Sequence, residues 1–247
     1  MPANRIIILG ALLCAVLMSG ACSQAPAQPT PPPVATAVPF TPLPEALRTG
    51  AGRTATLGYL VAEQQGAWLA DTVRVGDGTI SILTPDNSLV WCGDAAGQVE
   101  GALLGAQGRR YALVSVDGEL QGPGRYGPEG RFAWQIASPQ VRVVAPQETS
   151  IAMLLAAGSN SARRVVRLNG HVLLNESSAL LIDKLGAGGI PEPGAQQLKL
   201  RRTARDAQLE QQLQSIGAGA FRTGQVQVEG YLDNGALTVL SMQVLGH

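Results

Sequence analysis

The segment GYLVAEQQGAWLAD, Gly58 to Asp71, returns 112 positions later as GHVLLNESSALLID, Gly170 to Asp183. Glycine, alanine, leucine and aspartate occupy the same columns in both. A chain that repeats one pattern at a fixed offset must fold that pattern twice, keeping its strands while its loops vary. The similarity extends further: Asp117-Gly118-Glu119-Leu120 matches Glu229-Gly230-Tyr231-Leu232 at the same offset of 112.

The second copy is the easier one to read. Arg164 to Asn175 is a long β-type run with a glycine at its middle, a position that marks a bulge or sharp bend. Ala179 to Leu185 is a second strand. The loop GAGGIPEPG leads to Gln197–Arg201, where alternation points Leu198 and Leu200 one way and Lys199 and Arg201 the other. Leu209, Leu213 and Ile216 then stand at helical spacing, with Asp206 as cap and Gly217 as stop. Two final strands, GQVQVEGYL and ALTVLSMQVL, are joined across Asp233-Asn234-Gly235, a strong hairpin signal.

The first copy repeats the order. Thr54–Glu63, Ala67–Val75 and Leu89–Cys92 are its first three strands, and Val99, Leu103 and Ala106 precede Leu209, Leu213 and Ile216 by 110 positions. Strand, strand, strand, helix, strand, strand with a bent first strand resembles the oligonucleotide/oligosaccharide-binding (OB) fold. The resemblance is one of topology, without signature residues. It implies an all-β protein with minor α content: two tandem five-stranded Greek-key barrels, each with one helix between strands three and four. The barrels are expected at 49–146 and 147–247. Ligand contacts would fall on the outer surface of strands two and three and on neighbouring loops.

The N-terminus reads as an export signal: Arg5 precedes a thirteen-residue run from Ile6 to Met18, too short for a comfortable membrane span, and small residues follow. Ser19-Gly20-Ala21-Cys22 resembles the bacterial lipobox, departing from it in having Ser19 where leucine is usual. The resemblance implies removal of residues 1–21, a lipid on Cys22, and a place on the extracytoplasmic face of the cell membrane; ordinary secretion is the alternative. The three cysteines agree with this reading, since Cys14 lies inside the signal and Cys22 at the lipid site. Cys92 remains as a small strand residue. Between Ser23 and Pro44, eight prolines in 22 residues favour an extended tether of roughly 70 Å at about 3.1 Å per residue. The tether is expected to run from Cys22 to residue 48.

The catalytic classes lack parts. Histidine occurs twice, at His171 and His247, so neither a metal site nor a Ser-His-Asp arrangement is assembled. His171 occupies the column of Tyr59, which suits a structural or surface position. Asp71 and Asp183 follow equivalent strands and read as turn residues. The loop glycines lack the lysine and the strand-to-helix setting of a phosphate cradle. No enzyme activity and no cofactor are expected.

Eighteen basic residues balance eighteen acidic ones, so the whole molecule is no polyelectrolyte partner. Single-stranded nucleic acid needs aromatic platforms and a basic groove together. Here Tyr59, Trp68, Trp91, Tyr111, Tyr126, Phe132 and Trp134 fall in the first copy, and Lys199, Arg201, Arg202 and Arg205 in the second. Trp91 aligns with Leu200 and Trp134 alternates with Phe132 and Ile136, which reads as core packing. Lys199, Arg201 and Arg202, with Arg163, Arg164 and Arg167 nearby, form the candidate site for an anionic partner: a headgroup, an envelope polymer or an acidic protein surface. Two functions follow. One is a monomeric, membrane-anchored binding module for a partner protein or anionic polymer; the other is a passive envelope component without a dedicated ligand.

Overall fold

The strands are built by alternation. In Val165–Leu174, Val166, Leu168, Gly170, Val172 and Leu174 are buried while the residues between them reach the surface or its margin, the pattern of a strand with one dry face. The computed structural model describes residues 39–76, 78–106, 108–158, 163–201 and 206–246. Cys22 and the export segment, Arg202 and Arg205 lie outside the described residues.

The element order is β1 (Thr41–Pro42), α1 (Leu43–Thr49), β2 (Gly52–Glu63), β3 (Gly66–Ala70), β4 (Val73–Gly76), β5 (Thr79–Ile82), β6 (Val90–Gly93), β7 (Arg110–Gln121) and β8 (Trp134–Val143). It continues with β9 (Gln147–Glu148), α2 (Ile151–Ala157), β10 (Val165–Leu174), β11 (Ala179–Ile182), β12 (Gln197–Arg201), α3 (Ala207–Gln212), β13 (Gln214–Ile216), β14 (Phe221–Asp233) and β15 (Ala236–Val244). Strands pair in the closed order β2-β3-β6-β8-β7-β2 in the first half and β10-β11-β12-β15-β14-β10 in the second. Within each ring one pair is parallel, β6 with β8 and β12 with β15, and the others are antiparallel. These are two closed five-stranded OB-like barrels with the expected connectivity.

The repeated glycines mark where backbones come too close for a side chain. A Cβ on Gly58 would lie 2.5 Å from the Ala70 carbonyl oxygen, and one on Gly170 would lie 3.0 Å from that of Ile182. Each lets its long first strand bend over the second. Gly118 and Gly230 sit at irregularities of register in β7 and β14, where a Cβ would again strike the neighbouring strand.

Each barrel has its own interior. Leu60, Leu69, Val90, Val114 and Val116 fill the first, together with Cys92, and burial pushes the Cys92 thiol up to about 12. Leu168, Val172, Leu181, Leu198, Val226 and Leu237 fill the second. Each of these side chains is removed from water completely or nearly so, worth about 1.5–3 kcal/mol apiece for the larger aliphatics.

Several expectations need correction. Pro39 to Arg48, read as the end of the tether, is folded. Phe40 is buried edge-on against Tyr231 at 5.1 Å, Thr41–Pro42 adds a strand beside β2, and α1 sends Leu43 and Ala46 into the first interior. The second half has the same prelude, β9 beside β10 and α2 with Ile151 and Leu154, so the repeat unit is longer than the matched columns. Ala67–Val75 is not one strand. It breaks at Asp71-Thr72, and β4 and β5 form a hairpin that leaves its own barrel and extends the sheet of the other beside β15.

The two linking helices are also shorter than their spacing suggests. In the first barrel the segment is a 3-10 stretch, Ala95–Ala102, kinked at Val99; in the second, α3 ends at Gln212 and Ile216 belongs to β13. Pairing of Gln214–Ile216 with β14 supplies hydrogen bonds that a longer helix would have to forgo.

Candidate functional site

Among the described residues the outer face of strands two and three is open in one barrel and closed in the other. In the first, Trp68 of β3 lies opposite Trp91 of β6. The connection from β7 to β8 folds over them: Phe132 stands 5.2 Å from the Trp91 ring and 6.2 Å from the Trp68 ring, and the Arg131 guanidinium lies over Trp68 at 6.0 Å. Trp68 and Phe132 are each 2% exposed. The surface that would receive a ligand in a barrel of this kind is filled by the chain's own loop.

This arrangement corrects two readings of the aromatic residues. Trp91 does not occupy the column of Leu200. In the second barrel the residue opposite Leu180, the counterpart of Trp68, is Lys199, while Leu198 and Leu200 point inward. A slip of one residue in alignment exchanges the two faces of a strand. Phe132, Trp134 and Ile136 do not form one stripe either: Ile136 is inside the barrel with Trp134 packed at its margin, whereas Phe132 covers the outside.

Among the described residues the second barrel has no such cover. Its last two strands are joined by the two-residue turn Asn234-Gly235, both with positive φ, 49° and 74°, where the first barrel has the long 122–133 connection. Gln197, Lys199 and Arg201 along β12 are exposed, flanked by half-buried Leu180. Arg201 pairs with Asp233 at 2.9 Å. Among the described residues Lys199 has no acidic partner within ion-pair distance. Arg163 and Arg167 point elsewhere and do not add to this group: Arg163 donates to the Phe40 carbonyl at 3.0 Å, and Arg167 pairs with Glu148 and Glu229. Arg164 is half-buried.

The first strand of the first barrel is covered from the other side, by the second barrel. Both belong to one compact unit. Leu57, Tyr59, Val61 and Leu113 face outward and share a buried cluster with Tyr231 and Leu240. Tyr59 donates to Glu229 and is 3.0 Å from Ser241 Oγ; Arg167 grips the other Glu229 oxygen from Nε at 2.8 Å and from a terminal nitrogen at 2.6 Å. Burial, and next the Glu229 charge, hold the Tyr59 hydroxyl well above the ordinary tyrosine range. The β4–β5 hairpin closes the junction further along, where Arg74 bonds Asp206, the cap of α3, as well as Gln208 and Ser81. A cavity of about 220 Å³ remains between the barrels beside Tyr59 and Glu229.

His171 is half-buried on β10, and Asp183 Oδ1 accepts from the Gln196 amide at 2.7 Å, a turn role. No cluster of three or more metal-ligating side chains occurs among the described residues, and no helix there is long and apolar enough to cross a membrane. The junction network escaped the sequence reading because Tyr59 and Glu229 are 170 residues apart and carry no spacing motif. No protein-family model, no curated protein and no solved structure matches the chain.

Proposed function

We propose that this protein is a non-catalytic binding module held at the extracytoplasmic face of a membrane by a lipid on Cys22, and that it engages an anionic partner, an envelope polymer or an acidic protein surface. The contact face is the open outer surface of the second barrel, with Lys199, Arg201 and Arg202 supplying positive charge. The observation that carries this reading is the asymmetry of the two barrels. One outer face is filled by Arg131, Phe132 and the second barrel, while the equivalent face of the other keeps Lys199 exposed opposite Leu180. On this reading the first barrel is the scaffold that presents the second.

The test is co-sedimentation of the protein with isolated cell wall and with anionic vesicles, parent against the triple variant Lys199→Glu, Arg201→Glu, Arg202→Glu. Parent binding should weaken steadily as salt shortens the Debye length from about 10 Å at 0.1 M to about 3 Å at 1 M. The triple variant should not bind, and its melting temperature should stay within a few degrees of the parent's, because exposed charges contribute little to stability. Equal retention of the two proteins, or none by either, would refute the assignment. Cys22→Ala should release the protein from the membrane fraction or leave it unprocessed.

A further inference from the structure

The cavity between the barrels has an apolar wall and a polar floor. Leu104 and Val143, 62% and 49% exposed, stand at its rim, and Leu113 lines its side. At the floor lies the Glu229 carboxylate, already holding Tyr59, Ser241 and Arg167. Two further polar side chains, Tyr111 and half-buried Gln243, line it and make no side-chain hydrogen bond among the described residues, so both are open to an occupant. Exposed apolar side chains at the rim and these two polar side chains suit the cavity to an occupant with apolar surface and a hydrogen-bonding head.

Size and charge narrow the class of occupant. A cavity of about 150 Å³ accepts benzene, so about 220 Å³ suits a single substituted ring. The lining carries one carboxylate, Glu229, and one guanidinium, Arg167, which is already held by Glu229 and by Glu148 outside the cavity, so the floor disfavours an anion. A hydroxyl head can donate to the Gln243 carbonyl and accept from Tyr111, while its ring meets Leu104, Leu113 and Val143. We infer that the junction is a binding site for a small, uncharged, ring-sized amphiphile with a hydroxyl head. It shares no residue with the basic face of the second barrel.

The experiment measures binding of 4-ethylphenol, ethylbenzene and 4-ethylbenzoate to the full-length protein by ligand-observed NMR and calorimetry. For a ligand this small a Kd on the order of 0.1 mM is expected for 4-ethylphenol. Ethylbenzene should bind about 3- to 10-fold more weakly for want of the hydroxyl, and 4-ethylbenzoate should not bind. Tyr111→Phe should weaken 4-ethylphenol by a similar factor without changing ethylbenzene. Val143→Trp, placed on an exposed rim position, should block all binding and leave the melting temperature near the parent's. Lys199→Glu should change none of these values, which separates this site from the proposed anion-binding face. Absence of 4-ethylphenol binding, equal affinity for the three probes, or binding that survives Val143→Trp would overturn the inference.

Discussion

Removing the Glu229 carboxylate should destabilise the protein far more than removing Asp117, although the two occupy the same column of the repeat. Glu229 is 13% exposed and accepts two nitrogens of Arg167, the Tyr59 hydroxyl and, at 3.4 Å, the Ser241 hydroxyl. Breaking one partner of a buried ion pair costs about 3–5 kcal/mol. Arg167 is itself 33% exposed and keeps Glu148, and Tyr59 keeps Ser241, which together reduce the expected loss for Glu229→Ala to about 2–4 kcal/mol. At about 2–4 °C per kcal/mol for a unit of this size, the melting temperature should fall by about 5–15 °C.

Asp117 meets Arg53 at 3.2 Å with side chains 43% and 85% exposed, so Asp117→Ala should cost no more than about 0.5 kcal/mol. Tyr59→Phe should cost about 1 kcal/mol alone and much less in the Glu229→Ala background, since its bond to the carboxylate is then already gone. Thermal and guanidinium unfolding at pH 7 compare these three single variants and the double variant with the parent. Equal shifts for Glu229→Ala and Asp117→Ala would show that the junction network does not hold the barrels together, and additive losses for Tyr59→Phe and Glu229→Ala would show that the two side chains act separately.

Three further outcomes are expected. Gly58→Ala should destabilise by about 1–3 kcal/mol and by more than Gly170→Ala, because its methyl meets a carbonyl oxygen at 2.5 Å rather than 3.0 Å; the reverse order in urea unfolding would contradict the bend assigned to Gly58. Phe132→Ala should cost about 3–5 kcal/mol and shift tryptophan emission to the red as Trp68 and Trp91 meet water, whereas unchanged emission would mean that the loop does not cover them. Stability should decline in alkali: the folded state holds the Cys92 and Tyr231 protons to about pH 12, while the unfolded chain releases them near 8.5 and 10. Stability from these groups is therefore complete below about pH 8.5 and lost as the pH approaches 12, and Cys92→Ala should move the onset of the decline to about pH 10. An onset unaltered by that substitution would refute the buried thiol's part.

Much of the architecture is legible in the residues themselves. The repeat at offset 112, the glycine that bends each first strand and the Asp233-Asn234-Gly235 turn are local or periodic signals, and each barrel obeys them because pleat, bend and hairpin are decided within a few residues. The export segment and the lipid site rest on sequence alone, since they fall outside the described residues. Tertiary structure decided how the two copies divide their work. Tyr59 is buried and His171 only half-buried, Glu229 lies in the junction and Asp117 at the surface, Trp68 lies under a loop and Leu180 does not, although each pair shares a column. The hairpin β4–β5 reads as the end of a strand until the β15 edge of the other barrel is there to receive it. A sequence pattern records which side of its own strand a residue occupies. What lies against that side comes from residues far along the chain, with no period to announce them, and only the folded chain brings the two together.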